Sequence, residues 1–240
     1  MAIGIIVARQ ESTRLRNKNM RLFNGVSLFQ YSLEKLLKVK LLHKIYVCSD
    51  DSRIKEICST YESVEFIDEP KELAKQDKAW EAIKYVLNSF DEIQKDEIVA
   101  YVPVTCPLRS IEDVDNAIRI WTSYQYDCES VISVCKCTEP PEWAFEINNK
   151  FLDFKNFPMT SQELKDFYYL NGAIYVSTKE LVLLNDGFFF TRTLPYLMPR
   201  ERSIDIDDEL DFIMAESITY NEAVKKVEEK LGGGTERWTS

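Results

Sequence analysis

Five cations crowd the short stretch from Arg9 to Arg21, namely Arg9, Arg14, Arg16, Lys18 and Arg21, with Glu11 the one acid among them. They follow the apolar run "AIGIIVA". In an open α/β sheet, ligands bind beyond the carboxyl ends of the strands. Cations at that place are the side chains that hold phosphate oxygens. The alternative is a solvated basic turn. Residues 8–21 contain no glycine and no Walker pattern, which excludes P-loop and dinucleotide-binding readings. Near the other end, "SIDIDDELD" places Asp205 and Asp207 two apart, so on an extended strand both carboxylates share a face. Such a pair beside phosphates suits a hard divalent cation such as Mg²⁺. The competing reading is that Asp207 or Asp208 caps the helix that follows. A third candidate is Asn171–Gly172 in "YLNGAIYVS", either a plain turn or a polar clamp at a pocket mouth.

The rest of the chain must position these groups. "KIYVCS", "VEFI" and "EIVAYVPV" read as further strands. Helical stripes run through "SLFQYSLEKLLKV", "SRIKEICSTY" (capped by Asp50 or Asp51) and "KAWEAIKYVLNSF". Ser110 with Asp113 resembles a capping box opening "IEDVDNAIRIWTSY". This alternation predicts βαβ units and a parallel sheet. After "SVISVCKC" the pattern breaks, and residues 138–170 read as an inserted strand-and-loop lobe. Strands return at "FYYLNGAIYVS" and "RSIDI". A last helix closes the fold with Leu210, Ile213, Met214 and Ile218 turned inward. Residues 1–231 are expected to form one domain and 232–240 a flexible tail.

Across 240 residues the formal net charge is −10, which disfavours nucleic acid and anionic membranes as partners. No apolar stretch is long enough for a membrane span, and the first strand runs straight into charges, unlike a signal peptide. Six cysteines lack disulfide or CxxC spacing, and the single histidine, His43, leaves zinc chemistry little to stand on. A cytoplasmic protein with reduced thiols is expected.

Four segments in order resemble the sialic-acid cytidylyltransferases, also called CMP-acylneuraminate synthetases: "IIVARQESTRLRNKNMRLFNGVSL", "VPVTCPLRSIEDVDNAI", "LNGAIYVS" and "SIDIDDELDFIMAE". The similarity covers about residues 3–220. It implies a three-layer α/β/α fold of the nucleotide-diphospho-sugar-transferase type, with a mixed Rossmann-like sheet and a homodimer joined through the lobe. It implies Mg²⁺-dependent reaction of CTP with a nine-carbon 2-keto acid sugar. By position, Arg9 and Lys18 match residues holding the triphosphate, and Ala8, Gln10, Ser12, Asn19 and Ala79 match the nucleotide wall. Thr105, Asn171 and Gly172 fall where the sugar is contacted, and Asp205 and Asp207 match the metal pair. Arg9, Lys18, Asp205 and Asp207 would then carry the catalysis.

The chain departs from that pattern. Arg14 stands where glycine is common and Arg16 where proline is. Pro103, Val104, Thr105 and Cys106 replace Gln-Pro-Thr-Ser. Glu69 replaces an arginine before Pro70, and Trp80 and Glu81 displace small serines. A different keto-acid sugar (Kdo, pseudaminic or legionaminic acid) and a non-catalytic nucleotide-binding homologue are the rival readings.

Overall fold

A computed structural model describes residues 1–12, 14–74, 79–139, 141–148, 150–152 and 165–230. The expected tail lies outside the described residues. Strands β1 (Ala2–Val7), β4 (Leu42–Ser49), β5 (Val64–Asp68), β6 (Ile98–Tyr101), β7 (Ser130–Lys136), β10 (Tyr168–Thr178) and β11 (Thr193–Leu197) form one seven-stranded sheet in the order β11-β7-β10-β6-β1-β4-β5. Strands β1, β4, β5 and β6 run parallel, while β10 is antiparallel to both β6 and β7. The sheet is therefore mixed. Two hairpin pairs stand apart from it: β2 (Leu22–Phe23) with β3 (Val26–Ser27), and β8 (Ile147–Asn148) with β9 (Phe151–Leu152).

Helices cover both faces. On one side α1 (Leu28–Leu36), α2 (Ser52–Cys58), α5 (Ile111–Tyr124) and α7 (Glu209–Lys230) pack with Ala2 and Ile6 of β1. On the other, α4 (Ala79–Ser89) and α6 (Lys179–Leu184) pack with Ile3 and Ile5, so the period of two in β1 divides the core. A one-turn helix, α3 (Lys71–Ala74), leads toward α4.

The caps follow local chemistry. Ser27 opens α1, and Asp51 rather than Asp50 opens α2. At α5 the Ser110 hydroxyl accepts from the Asp113 amide while the Asp113 carboxylate accepts from the Ser110 amide, the expected box.

Two expectations fail. "RSIDI" is not a strand: Arg200–Arg202 forms a 3₁₀ turn and residues 203–207 run on without a sheet partner. The edge strand is instead Thr193–Leu197, parallel to β7, and Pro195 within it hid it from the sequence pattern. In α7 the inward side chains are Phe212 and Ala215; Leu210, Ile213 and Met214 are exposed, and only Ile218 of the predicted set packs on the core. The helix is rotated by its start. Arg21 holds Glu209 with both guanidinium nitrogens and stacks 4.3 Å over the Phe212 ring, which also meets Phe23 edge-on at 5.6 Å.

The lobe is a 3₁₀ turn at Pro141–Trp143, the β8–β9 pair and the outer half of β10. Residues 153–164 of the predicted lobe lie outside the described residues. Trp143, Ile147, Phe167, Tyr168, Tyr169 and Leu170 are exposed there.

Candidate active site

The two ends of the chain meet. Lys18, in a 3₁₀ turn after β1, donates through Nζ to the Ile206 carbonyl at 2.6 Å and lies 3.6 Å from Asp207 Oδ1. Arg14 Nη1 reaches Asp207 Oδ2 at 2.8 Å. Asn19 is buried and donates from Nδ2 to the Arg9 carbonyl at 2.7 Å, which fixes the bend of the loop. The resulting cleft has a volume of about 240 Å³. Its walls include Arg9, Ser12, Lys18, Asn19 and Ala79 of the expected triphosphate and nucleotide set, Thr105 of the expected sugar set, Arg14 and Pro103, noted above as departures, and Tyr101, which the sequence did not single out.

Other predicted members lie elsewhere. Ala8 is buried in the core, its amide donating to Cys48 O and its carbonyl accepting from Ser49, so it supports the cleft without lining it. The Gln10 backbone amide donates to Asp50 Oδ1 at 2.7 Å, and Gln10, with Arg16, lines a further hollow that shares Glu11 and Ser12 with the cleft. Arg21 is committed to Glu209. The basic stretch thus divides its work: Arg9, Arg14 and Lys18 face the cleft, whereas Arg16 and Arg21 do not.

The carboxylate pair is resolved by the helix cap. Asp208 Oδ1 accepts from the Asp211 amide at 3.0 Å, and Asp211 Oδ2 accepts from the amides of Asp207 and Asp208 at 3.0 and 3.2 Å. Asp208 and Asp211 open α7 between them, which frees Asp205 and Asp207. Asp205 is anchored next to Thr105, where the Ile206 amide donates to the Thr105 carbonyl at 2.8 Å. Its Oδ1 is buried with no hydrogen-bond partner. Burial pushes the Asp205 carboxyl above its ordinary value; the Thr105 hydroxyl and Lys18 oppose that, and Asp207 adds to it. A buried carboxylate oxygen without a donor costs free energy unless a ligand completes it.

Asn171 is not a clamp at the pocket mouth. Its side chain is 1% exposed; it accepts from Ser133 Oγ at 2.6 Å and donates to Ser203 Oγ at 2.9 Å. It ties β10 to the segment leading into Asp205. Gly172 does face the site. Its φ is +70°, and a Cβ there would lie 2.6 Å from Asp205 Oδ2, so glycine is required both by the backbone and by the carboxylate laid over it.

Sequence reasoning also missed two supports. Arg109 is buried and donates to the carbonyls of Pro103 at 2.6 Å and Cys106 at 2.7 Å, stapling the loop that carries Thr105; burial lowers its guanidinium to about 10. Glu69, noted only as a departure, is paired with Arg9 at 2.9 Å, its side chain fully buried. The signal for Arg109 was its place in "VTCPLRS", at the head of a capped helix.

A second chamber of about 370 Å³ adjoins the cleft. The two share Ala79, Tyr101, Pro103 and Thr105, and the second adds Trp80, Gly172, Tyr175 and Asp205. Trp80 meets Tyr101, Tyr175 and Phe188 at ring-centroid distances of 5.7, 5.5 and 5.7 Å.

The fold and site define an α/β protein with a cation-lined cleft, an annex beside it that carries Asp205 and an aromatic wall, and Asp207 paired with Arg14 and Lys18 of the cleft. The sequence profile described as Cytidylyltransferase matches residues 3–229, and the chain belongs to that family. An N-acylneuraminate cytidylyltransferase of Escherichia coli O18:K1:H7 is 30% identical over 94% of the chain and 54% of its own length. The chain thus spans about half the length of that relative. A CMP-N,N'-diacetyllegionaminic acid synthase of Legionella pneumophila is 27% identical over 90% of the chain and 95% of its own. Among solved structures, a CMP:2-keto-3-deoxy-manno-octonic acid synthetase complexed with CTP superimposes with a TM-score of 0.68 at 12% identity, covering 92% of the chain and 99% of its own, a likeness of fold.

Proposed function

We propose that the chain is a CTP-dependent cytidylyltransferase that joins CMP to the anomeric hydroxyl of a nine-carbon 2-keto acid sugar, releasing pyrophosphate. The observation that carries this reading is the convergence of Lys18 with Ile206 and Asp207, beside the unpartnered Asp205 Oδ1. The sugar oxygen forms a bond to the α-phosphorus as the bond from that phosphorus to the β-phosphate bridge breaks, and the hydroxyl proton is released. Such a transfer needs positioning and charge neutralisation more than a protein nucleophile. Arg9 and Lys18 offset charge growing on the leaving pyrophosphate. Ser12, Asn19 and Ala79 shape the nucleotide wall. Thr105 orients Asp205, and Gly172 leaves room for its carboxylate.

The donor set fits Mg²⁺. The buried Asp205 Oδ1 lacks a partner, and Mg²⁺ is commonly held by one or two carboxylates plus substrate phosphates. Asp205 and Asp207 would hold it. When bound, it would neutralise phosphate oxygens and lower the pKa of the attacking hydroxyl.

Relatives acting by name on N-acylneuraminate, diacetyllegionaminic acid and pseudaminic acid support the nonulosonate class. We further propose a homodimer through the lobe, which its exposed aromatic face supports. Cytoplasmic residence is supported by six free cysteines, and no helix among the described residues is long and apolar enough to cross a membrane. The test is pyrophosphate release from CTP against a panel of keto-acid sugars, with and without Mg²⁺. Stabilisation by CTP without turnover on any sugar would instead indicate a nucleotide-binding module.

A further inference from the structure

The annex beside the cleft is built differently from the cleft itself. Trp80 and Tyr175 line the annex and not the cleft. Trp80 sits at the centre of an aromatic cluster. Besides Tyr101, Tyr175 and Phe188, it meets Phe189 edge-on at 5.7 Å, and its ring lies 3.7 Å from where a Cβ on Gly187 would be. The cluster therefore holds the indole on several sides. Among the described residues the annex walls carry no cationic side chain and no carboxamide; their charge is the Asp205 carboxylate, and their other polar side chains are the hydroxyl-bearing Tyr101, Thr105 and Tyr175. Pro103 lines it too and offers no side-chain hydrogen-bonding group.

We infer that Trp80 is a specificity-determining residue that selects acceptor sugars whose far end, opposite the reacting hydroxyl, terminates in an apolar group. This rests on the cytidylyltransfer reading above. The reacting hydroxyl has to lie at Asp205 and the shared walls, next to the nucleotide. The far end of the sugar then lies against the indole. A methyl group gains dispersion and buried area on that ring. A terminal hydroxyl placed against the indole gives up its water to face ring carbon, and among the described residues no carboxamide lines the annex to receive it. An apolar pocket discriminates against one added hydroxyl by up to about a hundredfold, so the effect is a preference rather than an exclusion.

The test compares two nine-carbon 2-keto acids: N,N'-diacetyllegionaminic acid, which ends in a methyl group, and N-acetylneuraminic acid, which ends in a hydroxymethyl group. The wild-type kcat/KM with CTP is expected to favour the methyl-ended sugar by about tenfold to a hundredfold. Trp80→Gln, which offers an amide, is expected to bring that ratio close to unity through the KM for sugar, with the KM for CTP little moved. Trp80→Phe is expected to retain the preference. If Trp80→Gln does not fold, Trp80→Tyr, which adds one hydroxyl to a ring, is expected to shift the ratio in the same direction. A wild-type preference for the hydroxymethyl sugar, or the same ratio in all variants, would overturn the inference. Calorimetric binding of both sugars beside a CTP analogue with a methylene α–β bridge gives the ratio independently of turnover. Pyrophosphate release from neither sugar would defeat the transfer reading, while the binding ratio still decides the role of Trp80.

Discussion

The polar and aromatic walls of the site are assembled by opposite means. The polar wall comes from two short segments, residues 9–19 and 205–207, that hold each other directly through Lys18 and Arg14. Arg14 and Asp207 are its open outer pair, while Lys18 and Asn19 lie deeper. The aromatic wall takes Trp80, Tyr101 and Tyr175 from α4, β6 and β10 and Phe188 from the loop after α6, and its rings hold one another. Burial pushes the Tyr175 phenol up to about 12, so this wall carries no titrating charge near neutrality. The difference teaches that one wall is tuned for charge and the other for shape. Disturbing each should produce a different kind of loss.

The largest expected effect is on the polar wall. Asp207→Ala and Arg9→Ala should each reduce pyrophosphate release by on the order of 10²–10³. Circular dichroism should keep its folded signature in both, while Arg9→Ala should also melt lower because it leaves the fully buried Glu69 side chain without its partner. Turnover near the wild-type rate in either variant would remove that residue from the mechanism.

Gly172→Ala probes the junction of the walls. Alanine at φ +70° costs about 1–3 kcal/mol in strain, and its Cβ would meet Asp205 Oδ2 at 2.6 Å. The expected result is a lower unfolding midpoint and a fall in kcat together. A variant that melts lower yet keeps its kcat would show that Asp205 can shift without harm.

Glu69→Gln comes next: it keeps an oxygen to accept from Arg9 but removes a charge that burial disfavours, so stability near neutral pH should change by less than about 1.5 kcal/mol. Burial raises the Glu69 carboxyl above its ordinary value of 4.5, Arg9 opposes that, and Asp50 adds to it. A carboxyl raised by folding binds its proton more tightly in the folded chain. Its contribution to stability therefore falls as pH climbs from about 4.5 to the raised value, and is level above it. Denaturant melts across that interval should show this slope in the wild type and lose it in the variant. Identical pH profiles would deny the raised carboxyl.

Much of this was legible in the sequence, and the exceptions share a cause. The basic loop, the twin aspartates and the Ser110–Asp113 box were visible because polar groups at fixed short spacing have few uses. The spacing could not say whether Asp207 or Asp208 caps α7; that depended on Asp211, three residues beyond Asp208. The inward face of α7 was misread because Leu210, Ile213 and Met214 keep helical spacing as well as Phe212 and Ala215 do. Contacts with Phe23 and Arg21 decide between them, and these lie at the other end of the chain. Asn171 was read as a clamp because an Asn-Gly pair exposes no hint of the serines, Ser133 and Ser203, that enclose its amide. Trp80 could be noticed only as out of place; its purpose depends on rings far along the chain.

The smallest expected effect sharpens the polar wall itself. Arg14 pairs with Asp207, but its side chain is 69% exposed. Exposed pairs contribute about 0.2–1 kcal/mol, since water and salt screen them. Arg14→Gly should therefore change CTP affinity by less than about fivefold, and the change should vanish as salt is raised. Lys18, with a side chain only 13% exposed and held by the Ile206 carbonyl, should show a larger loss that persists in salt when changed to methionine. Equal, salt-insensitive losses for both variants would mean that Arg14 is drawn into the cleft when nucleotide binds. The division between an exposed outer charge and a buried inner one would then not survive in the complex.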